Sequence, residues 1–198
     1  MNILELFSGT GSVGKIAEEY GRVISVDKYN IMGYTPTHKI DILKWNYKQY
    51  PIGYFDMIWA SPPCRTFSSM LFLTKTKEQI KEMMENEGIP LLKKTLEIIN
   101  YFKPTYYCIE NPDKGRMKNY ILDLPYKRVS YCRYGFNNQK NTRLWTNINF
   151  QPLFCNHKGK KHPQAIQATR NGDKTICKLA NRYAIPERLI RNIFESIS

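Results

Sequence analysis

The sequence predicts an α/β fold, doubly wound around a mainly parallel sheet, and three observations predict it. Short apolar runs rich in β-branched and aromatic residues recur at 2–7, 22–26, 55–60, 105–109, 127–132 and 143–146, and read as strands. Helical stretches lie between them, at 13–20, over 77–102 with interruptions at Gly88 and Pro90, and at 116–122. A glycine-rich turn joins the first strand to the first helix. Strands that alternate with helices need crossover connections, which put helices on both faces of a parallel sheet.

The 198 residues suffice for one domain with a substantial core, and too few remain for a second catalytic domain. The apolar share of 42% and aromatic share of 13% exclude a disordered basic tail. No window approaches the ~18 consecutive apolar residues of a membrane span, and the start lacks a basic region followed by a long apolar stretch. The expectation is a soluble, intracellular protein. Five cysteines form no tight framework and are expected to be thiols in a reducing compartment. Thirty Lys and Arg against 17 Asp and Glu leave a net charge of +13, which suits a surface that neutralises phosphates. Residues 1–146 read as the catalytic core. An irregular basic segment over 147–179 and a tail over 180–198 follow, with a helix from 185 to 197 packing back on the core.

The first strand runs into Ser8-Gly9-Thr10-Gly11-Ser12-Val13-Gly14. Glycines here let the backbone approach a ligand that faces the helix N-terminus. Gly9, Gly11 and Gly14 fit G-x-G-x-x-G, with Asp27 at the end of the next strand placed to hold a ribose. That pattern serves a nicotinamide enzyme and an S-adenosylmethionine enzyme equally, and a bare tight turn also satisfies it. A further short strand, third in chain order, is expected at His38-Lys39-Ile40-Asp41-Ile42, with Asp41 near its end, where it suits an adenine amino group or the N-cap of a helix over 43–47.

The fourth strand ends in Ser61-Pro62-Pro63-Cys64-Arg65-Thr66-Phe67-Ser68. Prolines fix the loop before the thiol, and the carboxyl end of a central parallel strand borders the ligand crevice of such folds. The fifth ends in Glu110-Asn111-Pro112, bringing a carboxylate to the same edge. The pairing suits methylation of a pyrimidine at carbon 5. A thiolate adds to carbon 6 while a carboxyl group addresses nitrogen 3, turning carbon 5 into an enamine nucleophile.

In these motifs the chain resembles the DNA cytosine 5-methyltransferase family. Leu6-Phe7-Ser8-Gly9-Thr10-Gly11 resembles its opening cofactor motif, Asp27 its ribose-binding acid and Asp41-Ile42 its adenine-binding pair. Pro62-Pro63-Cys64 with Phe67-Ser68 resembles the nucleophile loop, and Glu110-Asn111 the glutamate motif, with Pro112 where Val is usual. Gly135, Gln139 and Arg143 fit Gly-x-x-x-Gln-x-Arg-x-Arg with one residue inserted after the glycine. The resemblance implies the S-adenosylmethionine-dependent, Rossmann-like methyltransferase fold. It implies Cys64, Glu110 and Arg143 as catalytic residues, with Arg143 at the cytosine ring or its phosphate. The cofactor pocket would comprise Phe7, Gly9, Thr10, Gly11, Asp27, Lys28, Asp41, Ile42 and Pro63. Arg65, Ser68 and Gln139, with Lys158, Lys160 and Lys161 of the basic segment, would contact nucleic acid.

The chain departs from the family at Ser61 for Gly, Arg65 for Gln, Asn141 for the first Arg of the Gln/Arg element, and Tyr183 for the Asn of the last motif. It also lacks a long target-recognition region, which implies weak sequence selectivity or a protein partner that supplies it. The expected substrate is duplex DNA with a flipped cytosine, since a thiol cannot reach carbon 6 inside the stack. RNA is the alternative substrate, and a non-catalytic nucleic-acid-binding relative the alternative class. Cys155, His157, His162 and Cys177 match no standard zinc spacing, so no metal is expected.

Overall fold

The computed structural model describes residues 1–136, 139–155 and 184–198. Seven strands form one sheet: β1 (Asn2–Leu6), β2 (Arg22–Asp27), β3 (His38–Lys39), β4 (Met57–Ala60), β5 (Tyr106–Pro112), β6 (Tyr126–Ser130) and β7 (Asn141–Thr146). Their order is β3-β2-β1-β4-β5-β7-β6. The pairs among β1 to β5 are parallel, while β7 runs antiparallel to both β5 and β6. The reversed strand follows from connection length, because the ten residues between β6 and β7 are too few for a crossover helix.

Pleat alternation sends each strand's side chains to two separate cores. Leu4, Leu6, Ile58, Ala60, Ile109 and Trp145 join one core, covered by α2 (Lys77–Met83) and α3 (Ile89–Phe102) through Ile80, Leu92, Ile98 and Phe102. Ile3, Met57, Trp59, Cys108, Val129 and Leu144 join the other. There α1 (Gly14–Ala17) packs through Ala17, and α4 (Glu187–Phe194) through Leu189, Ile190, Ile193 and Phe194. On its outer side, Arg191 of α4 grips both carboxylate oxygens of Glu19 at 2.7 Å. The sheet is thus doubly wound and mainly parallel, the methyltransferase-type fold that the sequence implies. Among the described residues no helix is long and apolar enough to cross a membrane.

Several elements differ from expectation. The helix expected over 13–20 is a single α-turn, Gly14–Ala17. The helix over 77–102 is not broken, because a π-turn at Met84–Gly88 links α2 to α3 and Pro90 sits in α3's first turn, where no donor is required. A Cβ at Gly88 would collide with Thr66 and Phe67 of the loop after β4, so glycine there admits that loop. No helix forms over 43–47. Asp41 accepts from the Leu43 amide at 3.0 Å in a turn, and a 3-10 turn follows at Tyr47–Gln49. The stretch at 116–122 shortens to a 3-10 turn, Arg116–Asn119. The sixth strand stops at Ser130 and gives way to a 3-10 turn, Tyr131–Tyr134, closed by Gly135 at φ 98°.

Candidate active site

The strand order reverses at β1 and β4, whose carboxyl ends bound the crevice where such sheets bind ligands. After β1 the chain turns sharply. Phe7 is left-handed at φ 60°, an uncommon conformation for a bulky residue, and Gly9 and Gly11 also have positive φ. Asp27, ending β2, accepts from the Gly9 amide at 2.9 Å through one oxygen and from Tyr29 at 2.9 Å through the other. The acid therefore shapes the glycine turn as well as facing the crevice. Burial acts to raise the Asp41 carboxyl, but the Leu43 amide and then Lys28, paired at 3.2 Å, together hold it below its usual range.

This lining fits an adenosine-bearing cofactor. The Ser8 hydroxyl is buried without a partner, a Cβ at Gly9 would meet nothing closer than the Phe7 carbonyl at 3.9 Å, and two carboxylates, Asp27 and Asp41, end or follow neighbouring strands. Gly11 is different, because the Tyr34 ring lies directly against it. Thr10 lies in the same turn and is partly exposed, Pro63 is exposed beyond β4, and Ile42 is buried in the core at 5% exposure. Ile185, before α4, donates its amide to the Ser12 hydroxyl at 3.2 Å, tying the C-terminal tail to this turn.

Sequence reasoning missed Glu5. It sits in β1 at 2% exposure and accepts the Gly14 amide at 3.1 Å. Burial pushes its pKa up to about 8, against the lowering effect of backbone donors. A carboxyl raised in the folded state favours folding fully below about pH 4.5 and loses that contribution as pH rises towards 8. Thermal stability of the wild type is therefore expected to fall from pH 5 to pH 8.5, and Glu5→Gln to flatten that decline. Melting temperatures across the range check this, and parallel curves for both proteins would refute it.

After β4, the Ser61 amide donates to the Leu6 carbonyl at 3.1 Å, joining the Cys64 loop to the end of β1, and the Ser61 hydroxyl accepts from the Trp59 indole. Asn111, fully buried, donates to the Pro62 carbonyl at 2.9 Å. The Arg116 amide holds the Phe67 carbonyl at 2.8 Å, and the Phe67 side chain is fully buried. The loop around Cys64 is therefore clamped by β1, β5 and the turn after β5. Burial and the charge of Glu110 push the Cys64 thiol up, while Lys140 pulls it back. The thiol is thus neutral at rest.

Glu110 is 6% exposed and faces the core that carries Cys108 and Leu144. Its Oε1 accepts from the Tyr131 hydroxyl at 3.0 Å and lies 3.6 Å from Lys140 Nζ. Neither Tyr131 nor Lys140 was singled out in the sequence. The 3-10 turn that replaces the end of the sixth strand is what delivers Tyr131 here.

Arg143, expected at the cytosine ring or its phosphate, is held by Asp113 rather than by Glu110. In the β5–β7 ladder Arg143 opposes Asn111, and Leu144 opposes Glu110. Directly opposed residues share a face, so Arg143 and Glu110 project to opposite sides of the sheet. Arg143 instead pairs with Asp113 at 3.1 Å, beside Arg128 at 2.8 Å, and stacks over Tyr126 at 4.0 Å. Of the expected nucleic-acid contacts, exposed Arg65 pairs with Glu87 at 2.6 Å. Ser68 caps the 3-10 turn Ser69–Leu73 by accepting from the Met70 amide at 3.2 Å, and Gln139 donates to the Cys155 carbonyl at 3.3 Å. Lys158, Lys160, Lys161, Tyr183 and the residues His157, His162 and Cys177 lie outside the described residues. Among the described residues no His, Cys, Asp and Glu group is placed to hold a metal.

A methyltransferase-type sheet with a Pro-Pro-Cys loop and a Glu-Asn-Pro strand end meeting at its switch point defines the class of cytosine carbon-5 methyltransferases. The C-5 cytosine-specific DNA methylase family matches residues 1–119. Over 98% of its length the chain is 36% identical to a probable DNA (cytosine-5)-methyltransferase of Frog virus 3 (isolate Goorha), of which the match covers 99%. The Dnmt2 methyltransferase of S. pombe matches 88% of the chain at 18% identity and a TM-score of 0.38, and the chain spans 57% of that structure. The chain belongs to the C-5 cytosine-specific DNA methylase family.

Proposed function

We propose that the protein transfers a methyl group from S-adenosylmethionine to carbon 5 of cytosine in DNA through a covalent Cys64 adduct. The observation that supports this most is the Cys64 loop, tied to β1 through the Ser61 amide and to β5 through Asn111, next in sequence to Glu110. When bound, the cofactor supplies an electrophilic methyl group. Phe7, Gly9, Thr10, Asp27, Asp41 and Pro63 would line its site, with Gly11, Lys28 and Ile42 supporting them.

The Glu110 carboxylate takes the Cys64 proton as the sulfur adds to carbon 6 of the flipped cytosine. Glu110 passes that proton to nitrogen 3, so the electrons of the carbon 5–carbon 6 bond become available at carbon 5. After methylation carbon 5 loses its proton to water, the double bond re-forms, the carbon–sulfur bond breaks with its electrons returning to sulfur, and the nitrogen 3 proton returns through Glu110 to the thiol. Arg65 lies beside the nucleophile and exchanges its surface partner Glu87 for a phosphate when DNA docks. Ser68 and Gln139 act by holding the loops they cap.

Incubating the protein with duplex DNA and, separately, RNA in the presence of S-adenosylmethionine, followed by mass spectrometry of the nucleosides, tests the assignment. Methylcytosine from DNA supports it, methylcytosine from RNA alone redirects it, and neither product refutes it. Asp27→Ala is expected to weaken S-adenosylmethionine binding at least about tenfold, since each hydrogen bond to a charged acceptor contributes about 1.5–3 kcal/mol. Calorimetry reads this directly, and unchanged affinity would move the ribose elsewhere.

A further inference from the structure

Two cysteines that the proposed reaction does not use meet just beyond β6. There the 3-10 turn Tyr131–Tyr134 is fastened to residues 153–155 by side chains and backbone together. The Ser130 amide donates to the Leu153 carbonyl at 3.0 Å, and the Leu153 amide donates to the Tyr134 hydroxyl at 2.8 Å. The Cys155 amide donates to the Ser130 hydroxyl at 3.0 Å, and the Gln139 side-chain amide donates to the Cys155 carbonyl at 3.3 Å. These four bonds set Cys155 alongside Cys132, and the two side chains are in hydrogen-bonding contact. Both are thiols. Cys155 is 5% exposed and Cys132 is partly exposed, so a reagent in solution meets Cys132 first. Among the described residues no further His, Cys, Asp or Glu joins the pair to hold a metal.

We propose that Cys132 and Cys155 form a dithiol modification site, whose oxidant is a small disulfide such as glutathione disulfide and whose product is a reversible bridge between the 3-10 turn and residues 153–155. Cys132 gives up its proton to water, its sulfur attacks one sulfur of glutathione disulfide, and one glutathione leaves as a thiolate. The Cys155 thiol then gives up its proton, and its sulfur attacks the Cys132 sulfur of the mixed disulfide. The second glutathione leaves as a thiolate, which takes up a proton. Two protein thiols are oxidised to one disulfide, and one glutathione disulfide is reduced to two glutathiones. Burial and the Cys155 thiol push the Cys132 thiol up to about 11, with Arg133 pulling it back, so the first step is slow at neutral pH and the pair stays open until the oxidant accumulates. The bridge encloses 22 intervening residues and so restricts the unfolded chain. Its local effect is on the turn whose Tyr131 hydroxyl donates to Glu110, because Tyr131 adjoins Cys132. Closure ties that turn covalently to the chain that continues into Lys158, Lys160 and Lys161. In a reducing compartment such a pair acts as a sensor rather than a permanent staple.

The test incubates the full chain with glutathione disulfide and compares the wild type with Cys132→Ala and Cys155→Ala. Peptide mapping by mass spectrometry without reduction reads the bonds formed, and melting temperature and amide hydrogen exchange read their effect on the folded protein. The wild type is expected to give a cross-linked peptide joining Cys132 to Cys155. Cys155→Ala should stop at the first step and keep one glutathione on Cys132, and Cys132→Ala should leave Cys155 unmodified. Closure should raise the wild-type melting temperature by at least about 5 °C, the scale for a loop of this length in a chain of this size, and slow exchange at the Ser130 and Cys155 amides. Dithiothreitol should reverse both changes. Two unmodified thiols in the folded, oxidant-treated wild type overturn the inference. A bridge from either residue to another cysteine overturns it too, as does a Cys132–Cys155 bridge that leaves the melting temperature and amide exchange unchanged. Should either variant fail to fold, the wild-type bridge and its exchange pattern decide alone.

Discussion

Cys64→Ala is expected to abolish methyl transfer, with turnover falling below detection, while S-adenosylmethionine binding stays within about twofold of the wild type. The reason is chemical. Carbon 5 of cytosine becomes a nucleophile only after a sulfur has added to carbon 6, and no other described side chain at the crevice offers a thiol. Cys108, the nearest alternative in sequence on β5, is fully buried, and burial with the charge of Glu110 holds its thiol well above the usual range. Cofactor binding survives because most of the proposed pocket lies at the ends of β1 and β2 and at Asp41, and the loop that adds Pro63 stays tied to β1 through Ser61. A transfer assay with radiolabelled methyl groups and calorimetry on the same preparation read the two quantities. Measurable turnover in Cys64→Ala would end the covalent mechanism.

Glu110→Gln is expected to reduce kcat by about 10²–10⁴-fold, the range for losing a positioned proton donor. Glutamine can occupy the same volume and still accept from Tyr131, so the melting temperature should change little. It cannot deliver a proton to nitrogen 3. The substitution also removes the negative charge that raises the Cys64 thiol, so iodoacetamide should alkylate Cys64 at lower pH in this variant. Faster alkylation combined with slower methyl transfer is a signature that simple misfolding does not produce. Equal losses in both would indicate a structural role for Glu110.

The sites that were legible in the sequence are local ones. Gly9 and Gly11 adopt positive φ in a turn directly after β1, and a run of glycines between a strand and a helix states this openly. Pro62, Pro63 and Cys64 follow the buried strand Met57–Ala60, and Glu110 lies at the end of β5, so both groups could be assigned to one sheet edge from strand direction alone. Glu5 was passed over for the opposite reason. A single acid within an apolar strand carries no periodic signal, and only the packing of Gly14 against its carboxylate shows why it is there.

The 3-10 turn at Tyr131–Tyr134 escaped the sequence reading because its tyrosines and cysteine have strand-like character. Tyr131 does enter the core, but as the residue after the strand, where its hydroxyl meets Glu110. The continuous α2–α3 path was hidden by Gly88 and Pro90, which usually punctuate a helix. Here the π-turn accommodates both, and the missing Cβ of Gly88 makes room for Thr66 and Phe67.

By itself the sequence determined the order of strands and helices, the glycine turn, and the placing of Cys64 and Glu110 at one edge of a doubly wound sheet. These follow from periodicity, turn chemistry and chain direction, all written in neighbouring residues. Only the tertiary structure decided which face each residue of β7 presents. In a strand the side-chain period is two, so a shift of one position exchanges the faces of the sheet. The register that sets Arg143 against Asn111 and Leu144 against Glu110 sends the arginine to Asp113 and leaves Lys140 beside the glutamate.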